Sequence, residues 1–489
     1  MLRESWFNKV MVQENRSTPE TVSDEDWEKT PASVRELVYS LFERVQKLEE
    51  KIRDLEEEKN RNSKNSSNPP SSDGPAVPPD SKKKKGKRKK GGQPGHKGTT
   101  RKLVPIEKVD EIFDIKPETC GKCGHGLSGE DAFPYRHQVA EIPPVIATVT
   151  EYRLHTLSCP SCGKDTRADL PLGVPQGAFG PRLQAMGSLF TGRYRLSKRD
   201  TAEILEDFFR VPISLGSISA LERRTSKAIA SVVEDAREYV KKQAQAHMDE
   251  TGWYEKNKRF WMWVASVPFV TVFLIRKSRG AKVAKEMIGE KFAGVINSDR
   301  WSAYNWLPVA SRQLCWAHLK RDFQAFVDRG GGSEKLGTKI RTQMDLMFNW
   351  WHQVKDGTMP FLTFQDKMES VQINVGELLR EGTSCDHKKT AGTCRDILKR
   401  EEALWTFVHK EGIEPTNNIA EQKVRPAVLW RKVSFGTQSD AGSRFVERAM
   451  TVTATLKQQN RNVLDYFVEA CDAANWNKSA PSLLPISTP

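Results

Sequence analysis

Three acids, Asp249, Asp299 and Glu421, lie far apart in the chain, yet each stands where a regular element begins or ends. Asp249 sits in HMDETGW, at the entrance to a run of aromatic and β-branched residues that reads as a sheet. Asp299 closes VINSD, where an apolar strand stops, and Glu421 lies one turn into a helix with Asn417 or Asn418 as its N-cap. Singly, each acid has an ordinary explanation. An Asp at a strand end is usually solvated or forms a turn, and Glu421 four residues before Arg425 has the spacing of a surface helix pair. Together they form an oxygen-rich donor set of the kind that holds a pair of Mg²⁺ ions, hard cations that keep positions open for water and phosphate oxygens. Two such ions about 4 Å apart activate the attacking oxygen and stabilise the leaving one in an in-line phosphoryl displacement. The carboxylates would repel one another without metal. Strand alternation puts Asp249 on the face of His247 and Thr251 and turns Glu250 the other way, unless a bulge intervenes.

A second chemistry is written in cysteine. Four of the eight cysteines form CGKCG (Cys120, Cys123) and CPSCG (Cys159, Cys162); Cys315, Cys385, Cys394 and Cys471 are scattered. Each pair is a tight knuckle with a glycine beside it, and two knuckles can offer four thiolates to one tetrahedral Zn²⁺. The intervening VIATVTEYRLHTL alternates like a strand, so residues 103–175 are expected to form a zinc ribbon, with free thiols or a redox pair as the competing explanation. His125, His137 and His155 are not needed as ligands.

The rest of the chain must place these groups. Its 489 residues carry a formal net charge of +14 and a pI near 9.3. That balance favours an anionic partner, nucleic acid first and an anionic membrane surface second. MLRESWFNKV has no apolar h-region, so no signal peptide is expected. The most apolar stretch, 260–275, is short for a membrane span, carries Pro268 and alternates like strands. A cytoplasmic protein without a membrane partner is the expectation.

After a loosely ordered segment over 1–30, residues 31–61 carry an a/d seam of Val34, Val38, Leu41, Val45, Leu48, Ile52 and Leu55. That pattern reads as a self-associating coiled coil, or as an amphipathic helix packed on its own domain. Residues 62–102 are Ser/Pro/Gly-rich and then basic. Lys82, Lys83, Lys84, Lys85, Lys87, Arg88, Lys89 and Lys90 fall within nine positions, a disordered linker suited to sequence-blind phosphate contact. Residues 178–235 read as helices joined by a turn at RVPIS, with Ser197 and Ser214 as caps. The second helix offers Ser217, Ser219, Arg223 and Arg224 to DNA in a helix-turn-helix-like arrangement. From about 243 the period becomes that of strands, with a hairpin turning near Pro268. Residues 333–411 read as helical and inserted, and the tail over 475–489 as flexible.

HMDETGW, INSDRWSAY, CWAHLKRDF and NNIAEQKVRPAVLWRK together resemble the DDE transposases of the bacterial insertion-sequence 66 family. NSSNPPSSD, GGQPGHKG and the paired CxxC module upstream fit the same pattern, so the likeness covers about residues 30–470. It implies an α+β multidomain chain with an RNase H-like α/β catalytic core over 243–332 and 412–474, interrupted by the all-α insertion. It implies that Asp249, Asp299 and Glu421 are a metal-binding triad for Mg²⁺ or Mn²⁺. It also implies a transposase acting on double-stranded DNA, the terminal inverted repeats and the target, near the bacterial nucleoid and with other element-encoded proteins as partners. His318 and Arg425 are then candidates for touching phosphate or the leaving oxygen, with a structural histidine at the strand–helix corner as the equal alternative for His318. Trp253, Trp301 and Trp316 are expected in the core. Two other classes remain open: a zinc-containing DNA-binding regulator with no catalysis, and an RNase H-like nuclease that cuts without joining.

Overall fold

The computed structural model describes residues 23–66 and 102–485. The basic run Lys82–Lys90 lies outside the described residues. The described chain divides into two compact units, one of residues 23–66, 236–253 and 259–429, the other of 102–235, 254–258 and 430–485.

In the first unit a short helix, Asp24–Lys29, precedes a 28-residue helix, Ala32–Lys59. The short helix falls inside the segment expected to be loosely ordered. Trp27 is buried against Tyr39, whose hydroxyl accepts from the indole N–H at 3.1 Å. No residue of the long helix is buried. Val34, Leu41, Val45, Leu48, Ile52 and Leu55 are 43–58% exposed, so the seam faces outward along its length. The helix is held at its C-terminal end by charge: Glu57 pairs with Arg329 at 2.8 Å, Lys389 with Asp54 at 2.9 Å, and Lys388 with Glu50 at 2.7 Å.

The cysteine module, in the second unit, contains two knuckles. In the first, the Gly124 N–H reaches the Cys120 carbonyl at 2.9 Å, and in the second the Gly163 N–H reaches that of Cys159 at 2.8 Å. Both glycines have left-handed φ, 73° and 71°, which the tight reversal requires. Strands β1 (Thr156–Ser158) and β2 (Asp165–Arg167) pair antiparallel around the second knuckle. The long strand expected over VIATVTEYRLHTL shortens to β1. Residues 141–155 take no strand, because an alternating segment without a neighbour has nothing to pair its backbone with.

The helical hairpin forms as expected, with Pro181–Gly192, Lys198–Phe209 and Leu215–Ala228 packed together. Ser197 and Asp200 make a reciprocal capping box, Arg210 ends that helix with φ 55°, and Ser214 caps the next by accepting from the Ser217 N–H. Helices Asp440–Gln458 and Val463–Asn475 pack on this group around a buried polar knot. There Ser188 donates to Thr225 at 2.8 Å, and Gln184 donates to Thr225 and to the Cys471 sulfur. The tail expected to be flexible docks here up to residue 485. Leu483 is buried, its carbonyl accepts from Gln459, and Pro481 accepts from Tyr466 at 2.7 Å.

The large sheet has the order β5-β4-β3-β6-β7. β3 (Gln245–Glu255) turns into β4 (Lys258–Ser266) through Lys256 and Asn257, whose φ of 48° and 61° suit a two-residue hairpin. β4 pairs antiparallel with β5 (Thr271–Arg276) across the turn at Pro268. After the helix Ala281–Ile288, β6 (Val295–Ser298) lies parallel to β3, and β7 (Arg312–Leu314) parallel to β6. Gly294 admits β6 to this position. A Cβ there would stand 2.6 Å from the carbonyl oxygens of Gln243 and Ala244. Gly294→Ala is therefore expected to lower stability by about 2–3 kcal/mol, read as a lower urea midpoint; an unchanged midpoint would show that β6 shifts without cost.

Beyond β7 the chain is helical. Trp316–Asp328, Gly331–Lys355, Phe361–Gly382 and Lys388–Leu398 enclose an aromatic core of Trp316, Phe323, Phe326, Trp351, Phe364 and Phe407. This all-α segment is sewn to the sheet edge: the Trp316 indole donates to the Leu404 carbonyl at 2.8 Å, and Gln313 accepts from the Phe407 N–H at 2.8 Å. The helix Asn418–Ser434 then returns the chain to the sheet. Trp253 and Trp316 are fully buried, as expected; Trp301 is 39% exposed and is not a core residue.

Candidate active site

The register of the parallel strands sets up the site. Ala246 pairs with Ile296 and His247 with Asn297. Continuing that register by two residues brings Asp249 level with Asp299, just past the end of β6. His247, Asp249, Asn297 and Asp299 thus share the same side of their strands, by the two-residue period. This face is polar yet closed: Asn297 donates to the Glu414 carbonyl and accepts from Gln245 at 2.9 Å.

Burial and mutual repulsion dominate the electrostatics. Burial first, and then the charges of Glu250, Asp299 and Glu421, push the Asp249 carboxyl well above the ordinary range; the Glu250 N–H, donated at 2.9 Å, opposes this. Glu250 is pushed up to about 7 by burial and by Asp299, against the pull of Arg279 and Tyr304. Its two oxygens are used separately: Oε1 takes the Arg279 Nε at 2.8 Å and Oε2 the Tyr304 hydroxyl at 2.8 Å. Asp299 Oδ1 accepts from the Trp301 N–H at 2.9 Å, and its carbonyl accepts from Arg312 at 3.1 Å. The neighbouring Arg300 reaches away from the acids, to Asp322 at 2.9 Å and Asp396 at 2.5 Å.

Glu421 comes to the same region on its helix. Asn417, immediately before that helix and almost fully buried, is the joint. Its amide donates to the Met248 carbonyl at 2.6 Å, its Oδ1 lies 3.2 Å from His247 Nδ1, and its N–H reaches the Cys315 sulfur at 3.1 Å. Its carbonyl accepts from the Glu421 N–H, closing the first helical turn. Glu421 Oε1 lies 3.3 Å from His318 Nδ1 and 3.9 Å from Arg321, although neither that oxygen nor that nitrogen has hydrogen-bond geometry to a partner. Burial, opposed by Arg321 and reinforced by Asp299, raises the Glu421 carboxyl. Burial and the two arginines Arg321 and Arg300 push His318 down to about 3, so its ring is neutral at physiological pH.

Among the described residues, the group whose ligand atoms all lie within 4.8 Å of one another is Cys315, His318 and Glu421. Asp249 and Asp299 fall outside that spacing, near enough for their charges to act on each other and on Glu421. The oxygen donors of the carboxylates suit a hard divalent ion such as Mg²⁺ better than the thiol and imidazole do.

Residues 191–444, just over half of the chain, match the Transposase IS66 family. The chain belongs to that family. The match contains all three acids, Asn417 and His318. A second match, over 117–163, is to the zinc-finger binding domain of transposase IS66, and a third, over 17–102, to a family of unknown function. Among curated proteins, the uncharacterized protein y4qI of Sinorhizobium fredii (strain NBRC 101917 / NGR234) is 27% identical over 250 residues, a match covering 46% of this chain and 46% of that protein. The chain thus aligns with less than half the length of that relative.

The zinc-finger match of this IS66 family member includes Cys120, Cys123, Cys159 and Cys162, and so supports structural zinc. Backbone N–H groups of Lys122 and Cys123 hold the Cys120 thiol below its usual range, and those of Cys162 and Ser161 do the same for Cys159, as a thiolate ligand needs. The structure places the sulfurs as two pairs that do not converge within 4.8 Å among the described residues. Arg223 and Arg224 are exposed on the helix Leu215–Ala228; the Arg224 guanidinium lies over Gly177. Arg425 is exposed one turn after Glu421. No helix of the described residues is long and apolar enough to cross a membrane.

Several residues of the site had no functional signal in the sequence. Glu250 was expected to face away, yet it is buried within reach of the Asp299 charge. Arg279 and Tyr304 stand in unremarkable contexts, and Asn417 looked only like a cap. The NN pair ahead of Glu421 is the one signal that pointed near it.

Proposed function

We propose that this chain is a DNA transposase whose Asp249, Asp299 and Glu421 form a metal-binding triad on an RNase H-like core. The observation that carries this reading is the strand register, which sets Asp249, within β3, level with Asp299 just past the end of the parallel β6, with Glu421 near enough for its charge to act on Asp249. Three antiparallel strands continued by two parallel ones support the RNase H-like assignment. Magnesium or manganese, when bound, supplies activation of the attacking oxygen and charge stabilisation of the leaving one.

The chain's own residues provide the rest. Asp249, within β3, and Asp299, one residue past β6, present their oxygens from the sheet, so the donor set is preorganised by it. Asn417 holds the Glu421 helix against β3. Neutral His318 stands against Glu421 without adding a positive charge that would compete with a metal ion. Two displacements follow at one site. Water adds across a phosphodiester at the element end, leaving a 3′-OH and a 5′-phosphate. That 3′-OH then attacks a target phosphorus, forming a new P–O bond and releasing a target 3′-OH. The cysteine module, the run Lys82–Lys90, Arg223, Arg224 and Arg425 supply cations or surfaces for the terminal repeats and target. The exposed seam of Ala32–Lys59 pairs two copies, so that both ends are cut together in the bacterial cytoplasm at the nucleoid, with other element-encoded proteins taking part.

Labelled element-end DNA tests this reading. Cleavage and joining are expected with Mg²⁺ or Mn²⁺ and not with EDTA; binding without any metal-dependent cleavage would return the chain to the class of zinc-containing DNA binders, and cleavage without joining to nucleases. The zinc assignment has its own readout. Purified protein is expected to contain about one zinc per chain by elemental analysis, as four thiolates complete one tetrahedral site. Cys120→Ser should lose most of it, and metal content unchanged by that substitution would remove Cys120 from the ligand set.

A further inference from the structure

Trp301 separates from the other tryptophans near the acids. Trp253 and Trp316 are fully buried, whereas Trp301 is 39% exposed and lies two residues after Asp299. It is fixed in place at both ends. Its backbone N–H donates to Asp299 Oδ1 at 2.9 Å and its indole N–H to the Arg279 carbonyl at 3.0 Å. With that N–H satisfied inside the protein, the ring has only its face and edge to offer a ligand.

The ring belongs to a ladder of alternating cations and aromatics. The Arg279 guanidinium lies 3.9 Å from the Trp301 centroid and 4.7 Å from that of Trp261, and Arg259 lies 4.6 Å from Trp261. Arg279 cannot swing freely, because its Nε is bound to the buried Glu250. The exposed indole is thus immobilised against one arginine, with a second arginine over the neighbouring Trp261, and is tethered to a candidate catalytic acid. It has the components of single-stranded nucleic-acid recognition: an aromatic face for a base and guanidinium groups for the adjoining phosphates.

We propose that Trp301, held by Arg279 above Trp261, is a stacking platform for an unpaired nucleobase of the DNA end beside the phosphate to be cut. This deepens the transposase reading and rests on it. A base inside a duplex has both faces covered, so the occupant is a nucleotide that has left the stack. Such a platform would fix the strand next to Asp299 without reading its sequence, since every base has a π-face.

The test uses full-length protein and a duplex with a single-stranded 3′ tail carrying 5-iododeoxyuridine. Long-wavelength irradiation, without divalent metal, should cross-link the tail to the peptide containing Trp301, in wild type and in Asp299→Asn alike. Trp301→Ala should lose that cross-link and bind the tail about tenfold more weakly, with Trp301→Phe retaining most of the affinity. Cross-links that map elsewhere in the wild-type protein, or a folded Trp301→Ala that binds within twofold of wild type, overturn the platform. Mapping on the wild type depends on no variant folding. If wild type cuts and joins DNA but never cross-links through Trp301, the platform alone falls; if Asp299→Asn still cuts, the triad falls, and the cross-link map still decides the platform by itself.

Discussion

Asp299→Asn should abolish both cleavage and strand transfer, by on the order of 10³-fold or more, while leaving DNA binding intact. The substitution is isosteric and keeps an oxygen that can accept from the Trp301 N–H. It removes the negative charge that raises both Asp249 and Glu250. In metal-free protein that charge is repulsive, so the variant should melt no lower than wild type, and higher at neutral pH. Loss of activity with equal or greater stability is a signature that unfolding cannot imitate. Gel assays of labelled ends, read beside thermal melts in EDTA, check both halves. Unchanged cleavage in the variant would take Asp299 out of the chemistry, and a sharply lower melting temperature would mean that its carboxylate is structural.

Arg300→Ala carries the largest expected loss of stability. Arg300 follows the candidate catalytic acid and ties it to two helices, through Asp322 on Trp316–Asp328 and, in the insertion, Asp396 on Lys388–Leu398. Removing it leaves the partly buried Asp322 carboxylate without its ion-pair partner and takes one of two arginines from Asp396, a loss of about 3–4 kcal/mol by comparison with broken buried pairs. Asp396 keeps Arg400 as a partner, which limits the damage on that side. Burial already raises Asp322, against the pull of Arg300. Without Arg300 its carboxyl rises further. A group whose folded pKa is raised loses stability as pH increases through that range. The deficit should therefore be largest at neutral pH and shrink toward acid, as Asp322 takes up its proton. Urea titrations across pH measure this, and a deficit that does not change with pH would show that packing, not charge, is what Arg300 provides.

Periodicity and chain punctuation made most of the elements legible. The caps at Ser197 and Ser214, the hairpin at Pro268, the strand that stops at Asp299 and the helical insertion are all local events, and their signals sit within a few residues of one another. The strand expected before Cys159 failed for the complementary reason. Alternation states that a segment can pair, and pairing needs a second strand that its own residues do not encode. The tail fell to the same limit: a polar, Pro/Ser-rich end reads as loose, and only its seat for Leu483 holds it.

At the candidate site, the three acids drew attention because each reads as lying near an element boundary and because together they match the motifs of the family; Asp299 and Glu421 do lie near such boundaries, whereas Asp249 sits inside β3, which starts four residues earlier than the aromatic run suggests. Their company was not. Glu250 turns out to be buried between Arg279 and Tyr304, partners 29 and 54 residues away. Asn417 looked like a cap and is a bolt between β3, Cys315 and the Glu421 helix. Trp301 looked like core and is exposed.

By itself the sequence determined the family, the order of the modules and the residue types available for chemistry, since these depend on composition and on near-neighbour spacing. Only the tertiary structure decided which side chains share a charge environment. Burial and Coulomb interaction act through space, between strands and helices that the chain brings together across more than a hundred residues.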